Sequence, residues 1–74
     1  MKVLNFYLDE GHLIKKILDE EQVKDLISKY EKIIKSKNLE KKILVGYDLN
    51  GNPFYIKVLA ILAFEVSDFD IKDL

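Results

Sequence analysis

The chain has 74 residues, a mass of 8.7 kDa and a net charge of −1, from 12 basic and 13 acidic side chains. That length allows one small domain, and the balanced charge excludes a whole-chain field that would attract nucleic acid or an acidic membrane. Cysteine, tryptophan, threonine and arginine do not occur, which excludes a disulfide scaffold, a thiolate metal site, a Cys or Thr nucleophile and an arginine clamp.

The N-terminal segment is expected to form a β-hairpin. Leu4, Phe6 and Leu8 alternate with the residues between them, as in a strand with one buried face. Asp9-Glu10-Gly11 predicts a turn whose glycine is left-handed. Residues 12–18 are expected to return as a second strand, although the helical spacing of their apolar residues leaves a short helix as the alternative. The first residues lack the apolar core of a signal peptide, so no export signal is expected there.

A helix is predicted over residues 20–37. Apolar side chains recur there every three or four positions and form one stripe, which comprises Val23, Leu26, Ile27, Tyr30, Ile33 and Ile34. Asp19 is the expected N-cap, and Gln22 completes a capping box with it. Asn38 is the expected stop of the helix.

Asn50-Gly51 predicts a second hairpin with a two-residue type I′ turn, because that turn needs positive φ at both positions. The resulting register gives the hairpin one apolar face, with the cross-strand pairs Tyr47–Phe54, Val45–Ile56 and Ile43–Val58. Pro53 then lies opposite Asp48 in a non-hydrogen-bonded pair, where its missing N–H costs nothing.

Residues 54–66 form one long apolar strand in this interpretation, either covered on both faces or interrupted by a bulge near Leu59-Ala60. Residues 67–74 are expected to form a loose acidic tail, so the predicted single domain covers residues 1–66. The predicted fold is α+β: a β-hairpin, an α-helix and a second β-hairpin, with one helix packed on one face of an antiparallel sheet.

The residues that catalysis or metal binding would need are scarce. His12 is the only histidine, and none of the three serines, Ser28, Ser36 and Ser67, lies in a G-x-S-x-G elbow. The segment Asp48-Leu49-Asn50-Gly51-Asn52 lacks the glycine and glutamate spacing of an EF-hand loop. We therefore expect a protein that is not an enzyme and that has no metal site and no cofactor.

Lysines gather where the helix ends and the second hairpin begins, at positions 29, 32, 35, 37, 41 and 42. Such a cluster suits phosphates or an acidic partner, but glutamates dilute it, and a solvated helix end is the favoured interpretation. The aromatic residues Tyr7, Tyr47, Phe54 and Tyr55 suit base stacking, although core and cross-strand packing is the simpler interpretation. We expect any ligand site to form between chains near this cluster, with Lys35, Lys37, Lys41, Lys42, Tyr47 and Tyr55.

Hydrophobic residues make up 49% of the chain, more than so small a core can bury. Domains this short usually need disulfides, a metal or a partner chain, and the sequence argues against the first two. The predicted helix covers only one face of a four-stranded sheet, which leaves an apolar surface typical of an interface. We therefore expect a homo-oligomer whose interface comprises Val3, Tyr7, Ile14, Leu18, Leu59, Ile61 and Ala63.

Four segments together resemble short β-hairpin–helix–β-hairpin proteins of low-GC Gram-positive bacteria and their phages. They are Asp9-Glu10-Gly11, the acidic helix start Asp19-Glu20-Glu21, the hairpin Asp48-Leu49-Asn50-Gly51, and the strand Tyr55-Ile56…Ile61-Leu62-Ala63-Phe64-Glu65-Val66. The resemblance implies a unit that assembles with itself. Because some small phage proteins of this size act against host defences by binding a protein or capturing a nucleotide signal, it also implies a role of that kind.

Taken together, these patterns favour a small oligomeric binding protein, such as a phage accessory protein, that binds a host protein or sequesters a nucleotide-type ligand. The alternatives are a nucleic-acid-binding regulator that uses the cluster from Lys29 to Lys42, which the lack of arginine argues against, and a purely structural assembly protein. The longest uncharged apolar run, 58–64, is too short to span a bilayer. A cytoplasmic location, or the host cytoplasm for a phage protein, is expected, with no membrane partner.

Overall fold

A computed structural model describes residues 1–69, which form five strands and one α-helix. The elements are β1 (Lys2–Leu8), β2 (Leu13–Leu18), α1 (Glu20–Ile34), β3 (Ile43–Tyr47), β4 (Pro53–Lys57) and β5 (Ile61–Asp68). Short 3-10 turns lie at Asp9–Gly11, Leu39–Lys41 and Val58–Ala60. This order of elements confirms the predicted α+β fold with a hairpin, a helix and a second hairpin.

The strands form two antiparallel sheets rather than one four-stranded sheet. β1 is the central strand of a three-stranded sheet with the order β2-β1-β5, and β3 pairs with β4 alone. The 3-10 turn Val58–Ala60 separates β4 from β5, which confirms an interruption near Leu59-Ala60. Because β5 leaves the second hairpin there and pairs with β1, one continuous strand over 54–66 is wrong.

In the first hairpin, residues 13–18 form a strand, as the sequence favours, and not a short helix. β2 pairs antiparallel with β1, with Lys2 opposite Leu18. A helix as short as this segment is marginal in water, whereas β1 offers it a full set of backbone partners. The turn has the expected left-handed glycine, since φ is 77° at Gly11, and the preceding Glu10 is left-handed as well, with φ of 59°.

α1 begins with the predicted capping box. The Asp19 carboxylate accepts a hydrogen bond from the Gln22 backbone N–H at 2.8 Å, and the Gln22 side chain accepts one from the Asp19 N–H at 3.0 Å. Val23 and Leu26 on the apolar stripe are buried against the sheets. The cap therefore sets where the stripe starts and which face of the helix meets the core.

The helix ends at Ile34, three residues before the predicted limit at position 37. Ser36 closes the last turn, because both its N–H and its hydroxyl donate to the Ile33 carbonyl, at 2.9 and 2.6 Å. Asn38 then takes a left-handed conformation, with φ of 61°, and leads the chain into the turn before β3. The side chain of a serine competes here with continued helical bonding.

The register of the second hairpin differs by one residue from the prediction. Tyr47 lies opposite Pro53 and not opposite Phe54. Gly51 has a positive φ of 81°, whereas Asn50 does not, so the turn is not of type I′. The loop is a type I turn closed by a left-handed glycine, which adds one residue to the connection.

Asp48 is the physical reason for this change of turn. Its carbonyl accepts a hydrogen bond from the Gly51 N–H at 3.0 Å. Its carboxylate accepts two more, from the N–H groups of Asn50 and Asn52, both at 2.9 Å. An aspartate that satisfies three backbone donors stabilises the longer loop over the two-residue turn.

The new register reverses the orientation of β3. Leu44 and Gly46 now face the core, opposite Ile56 and Phe54, so the predicted inward orientation of the alternate residues of β3 is wrong. A shift of one residue moves every side chain of a strand to the other face. The outer hairpin face, as we call it, consists of Ile43, Val45, Tyr47, Pro53, Tyr55 and Lys57.

The hydrophobic core lies between α1, the three-stranded sheet and the inner face of the β3–β4 hairpin. Its buried members are Leu4, Phe6, Leu18, Val23, Leu26, Leu44, Ile56 and Val58. Phe64 extends it at the β5 side, with its ring 5.9 Å from that of Phe6 and 5.1 Å from that of Tyr30, measured between centroids. The helix therefore packs on one sheet face, as expected, and the inner face of the hairpin contributes to the same core.

β5 continues past the predicted domain boundary at position 66. Ser67 and Asp68 belong to the strand, and the Phe69 N–H donates to the Met1 carbonyl at 3.1 Å. The remainder of the predicted tail, 70–74, lies outside the described residues.

Candidate ligand-binding site

The outer hairpin face carries exposed apolar and aromatic side chains. Tyr55 is 65% exposed, and Ile43 and Tyr47 are each at least half exposed. Val45 and Tyr55 lie opposite each other in the ladder, as do Ile43 and Lys57. Aromatic residues displayed beside cations are common where proteins contact ligands, because the ring offers flat apolar area at low entropic cost.

A cleft of about 350 Å³ opens at one end of this face, and we call it the lysine cleft. Three lysines, one glutamate, one tyrosine and one isoleucine line it: Glu40, Lys41, Lys42, Ile43, Tyr55 and Lys57. The 3-10 turn Leu39–Lys41 supplies one wall and β4 supplies the other. The Val58 N–H donates to the Lys42 carbonyl at 3.1 Å, which ties the two walls together.

A second cleft, of about 310 Å³, lies on the other side of Ile43 and is called the helix cleft here. Its lining residues come from α1 and β3: Lys29, Lys32, Ile33, Ile43, Leu44 and Val45. The Lys29 Nζ lies 6.0 Å from the centre of the Tyr47 ring and 3.0 Å from an Asp25 carboxylate oxygen. The two clefts share Ile43, so positive charge continues across the surface from α1 to β4.

The charge around the lysine cleft has the opposite sign to that of the chain. Three ammonium groups and one carboxylate line it, whereas the whole chain has a net charge of −1. Cations gathered in a concave surface concentrate the field and raise the local concentration of anions. Lysine ammonium groups act as mobile point charges, which suits a phosphate better than a carboxylate that needs a planar fork.

The structure brings together half of the predicted ligand residues. Lys41, Lys42 and Tyr55 line the lysine cleft, and Tyr47 lies on the same hairpin face beside Lys29. The other two predicted residues, Lys35 and Lys37, line neither cleft, because α1 ends at Ile34 and they fall in the connection that follows it.

Two contributors to the lysine cleft were not predicted. They are Ile43, which the sequence pairs with Val58 on the apolar face, and Lys57, which the structure places opposite Ile43. The signal that identifies both is the hydrogen-bonding capacity of Asp48, because the longer loop that it stabilises moves Ile43 and Lys57 to one face.

The structure buries some residues of the predicted oligomer interface and leaves others exposed. Val3 and Leu18 are each 1% exposed within this chain, so the expectation that they lie on the surface is wrong. Ile14 and Ile61 pack partly against the core. The three remaining residues, Tyr7, Leu59 and Ala63, are exposed. Leu18 belongs to the core cluster, whereas Val3 lies on the central strand β1, flanked by β2 and β5.

Within residues 1–69 no three side chains of the metal-ligating types lie together. None of the helical segments in that range has the length and apolar character that a membrane span requires. Comparison of the chain with protein-family models, with curated proteins and with solved structures found no match.

Proposed function

We propose that this chain is a non-enzymatic binding protein that holds a phosphate-bearing, nucleotide-type ligand in the lysine cleft. The observation that carries the proposal is the convergence of Lys41, Lys42 and Lys57 around the exposed ring of Tyr55. In this arrangement the three ammonium groups bind the phosphates. The ring of Tyr55 stacks on the base, and Ile43 provides an apolar floor.

The dimensions and the lining chemistry support a small ligand. Pockets for small molecules typically enclose about 300–1,000 Å³, and the lysine cleft, at about 350 Å³, falls at the lower end of that range. Stacking of one base on an aromatic side chain contributes roughly 1–3 kcal/mol. Because the cleft is open, its ion pairs are screened by salt and each contributes modestly.

The composition of the lysine cleft favours binding over turnover. Its side chains are lysine, tyrosine, isoleucine and a single glutamate, Glu40. A hydrolytic site would pair a nucleophile with a base and place an orienting group behind the base. The histidine that could act as a base, His12, lies after the turn at the other hairpin.

A single-stranded nucleic acid is the second candidate. The observation that favours it is the continuity of the two clefts, since Lys29, Lys32 and Tyr47 extend the basic and aromatic surface beyond Ile43. A polyanion that follows this path would contact more lysines than a mononucleotide does. Its affinity would then fall steeply with salt and rise with the length of the strand.

The test is a titration by isothermal calorimetry with ATP, with inorganic triphosphate and with a 20-nucleotide poly(dT). The charge-reversal variants Lys41→Glu and Lys57→Glu are expected to weaken ATP binding at least tenfold, because each replaces an attraction with a repulsion. Lys37→Glu is the matched control, since it reverses a neighbouring charge outside both clefts. Tyr55→Ala is expected to weaken ATP binding while leaving triphosphate binding unchanged.

Absence of ATP binding at low salt contradicts the proposal, and so does an equal loss in Lys37→Glu and Lys41→Glu. Poly(dT) bound much more tightly than ATP, with loss in Lys29→Glu as well, identifies the nucleic-acid candidate instead.

A further inference from the structure

Among residues 1–69, β5 forms an outer edge of the three-stranded sheet. It is eight residues long and contains neither proline nor lysine, although the register shift between Tyr7 and Leu8 leaves Leu62 as a bulge near its start. Leu62 is 71% exposed and Val66 is 39% exposed, although both are large apolar residues. A long edge with exposed apolar side chains is suited to pairing with another strand.

The backbone groups that point to the free edge can be assigned. The Phe69 N–H donates to the Met1 carbonyl, which pairs position 69 with β1. Hydrogen bonding alternates along an antiparallel strand, so the odd-numbered residues Ser67, Glu65 and Ala63 also bond to β1. The N–H and C=O groups of the even-numbered residues between them, Val66 and Phe64, therefore point away from β1.

The two acidic side chains of β5 are held by β1 and do not protect the free edge. The Tyr7 hydroxyl donates to the Glu65 carboxylate at 2.5 Å. The Lys2 ammonium group donates to the Asp68 carboxylate, also at 2.5 Å. Edge strands commonly avoid pairing by displaying charge, and here each carboxylate is engaged on the side of the strand already occupied.

We propose that β5 pairs antiparallel with β5 of a second copy of this chain, centred on Phe64, to form a continuous six-stranded sheet. The order of side chains around Phe64 supports this occupant. Leu62 and Val66 lie two residues to either side of Phe64, so a two-fold axis at Phe64 brings Leu62, at the bulge, beside Val66 of the other copy. The two Phe64 residues, whose N–H and C=O groups point away from β1, then exchange backbone hydrogen bonds, whereas Ala63 and Glu65 form non-hydrogen-bonded pairs.

Neighbouring registers are less favourable. Centring the axis on Glu65 would set two carboxylates directly opposite each other, which destabilises a strand pair. An axis through Ala63 would leave Val66 without an opposite residue in β5 of the other copy. The Phe64 register instead places Glu65 opposite Ala63 of the other copy, so that no like charges face each other.

The helix adds apolar surface beside the same edge. Tyr30 packs edge-on against Phe64, with ring centroids 5.1 Å apart. Ile34 lies one turn further along α1 on the same row and is 43% exposed. This row is available to pack across the two-fold axis next to the paired strands.

The first test measures mass by sedimentation equilibrium over a range of concentrations. For the unmodified chain we expect a measured mass of twice 8.7 kDa, the mass of a dimer. Leu62→Lys adds a charge at the edge, and Val66→Pro removes an N–H that points away from β1. Each is expected to raise the dimer dissociation constant at least tenfold while circular dichroism remains unchanged. Leu49→Lys, a similarly exposed leucine in the hairpin loop, is the control and should leave the dimer intact.

The second test identifies the register by disulfide cross-linking, which this chain allows because it has no cysteine. In the proposed register Ala63 of one copy faces Glu65 of the other as a non-hydrogen-bonded pair. Two such Cα atoms lie about 4.5 Å apart, within disulfide range. The double variant Ala63→Cys/Glu65→Cys should therefore form covalent dimers rapidly, while each single variant should not.

Rapid cross-linking of Glu65→Cys alone or Ala63→Cys alone overturns the proposed register. A monomeric mass at all concentrations overturns the proposal itself. A dimer that survives both Leu62→Lys and Val66→Pro overturns it as well. None of these readouts depends on ATP, so they are separate from the test of the lysine cleft.

Discussion

Replacing Gly46 with alanine perturbs the close contact between β3 and β4 at the Gly46–Phe54 pair. A Cβ atom added there would lie 2.8 and 2.9 Å from the Cε1 and Cε2 atoms of Phe54. Both distances are shorter than the 3.0 Å that real Cβ atoms respect. The Phe54 ring must therefore move, although Lys16 lies over it with its Nζ 5.1 Å from the ring centre.

The magnitude follows from two opposing effects. Forcing an extra methyl group into a packed position costs about 1–3 kcal/mol. Removing the conformational freedom of glycine from the unfolded chain returns about 0.4–1 kcal/mol. The midpoints of these ranges give an expected net loss of about 1.3 kcal/mol in the free energy of unfolding, equivalent to a decrease of roughly 5–10 °C in Tm for a domain of this size.

Urea denaturation followed by far-ultraviolet circular dichroism measures this loss, and a double-mutant cycle assigns its cause. In a Phe54→Leu background the smaller side chain leaves room for the methyl group, so Gly46→Ala should cost about 1 kcal/mol less. Unchanged or increased stability of Gly46→Ala would refute the reasoning. The same loss in both backgrounds would show that Phe54 is not the obstacle.

Three further predictions concern the cap and the strand ends. Asp19→Ala should lower the free energy of unfolding in urea by about 1 kcal/mol, because the capping box is lost, and a change within error would contradict that role. The hydrogen bond from Lys2 holds the pKa of Asp68 below its ordinary 3.8, so the pair contributes stability above that pH and loses it as the pH falls through the lowered pKa. In Lys2→Gln the pKa of Asp68, measured by NMR titration of its carboxyl group, should therefore rise. An unchanged titration midpoint would show that the pair does not form in solution. The hydrogen bond to Glu65 raises the pKa of Tyr7 above its ordinary 10.0, so ultraviolet titration should show that phenol ionising at lower pH in Glu65→Gln, whereas an unchanged curve would show that the bond does not form.

The helix and the first hairpin could be predicted because their signals are local. Asp19 and Gln22 lie three residues apart, and their capping box sets the start of α1. The alternation of Leu4, Phe6 and Leu8 describes β1 within one short segment. The end of α1 was less predictable, since Ser36 bonds back to the helix only once the last turn has formed.

The second hairpin shows how one side chain can outweigh a strong dipeptide signal. Asn50-Gly51 favours the two-residue turn, but the carboxylate of Asp48 satisfies two backbone N–H groups in the longer loop. That single added residue moves Ile43 and Tyr47 from the predicted core to the surface. The difference in register therefore changes which residues form the candidate site but leaves the order of the elements unchanged.

The site itself depends on contacts between segments far apart in the sequence. Lys41 and Lys42 could be selected from the lysine cluster, but their proximity to Tyr55 and Lys57 follows from the pairing of β3 with β4. The pairing of β5 with β1 joins the two ends of the described chain, and local patterns contain no information on it.

The most direct test of the lysine cleft is a titration of the ¹⁵N-labelled protein with ATP, followed residue by residue in two-dimensional NMR spectra. The proposed function predicts that the largest shift changes occur at the backbone amides of Lys41, Lys42, Tyr55 and Lys57, and that they saturate together. Amides in the first hairpin, such as that of Gly11, should not move. Absent changes, or changes spread evenly over the lysines of the chain, would contradict a ligand site in this cleft.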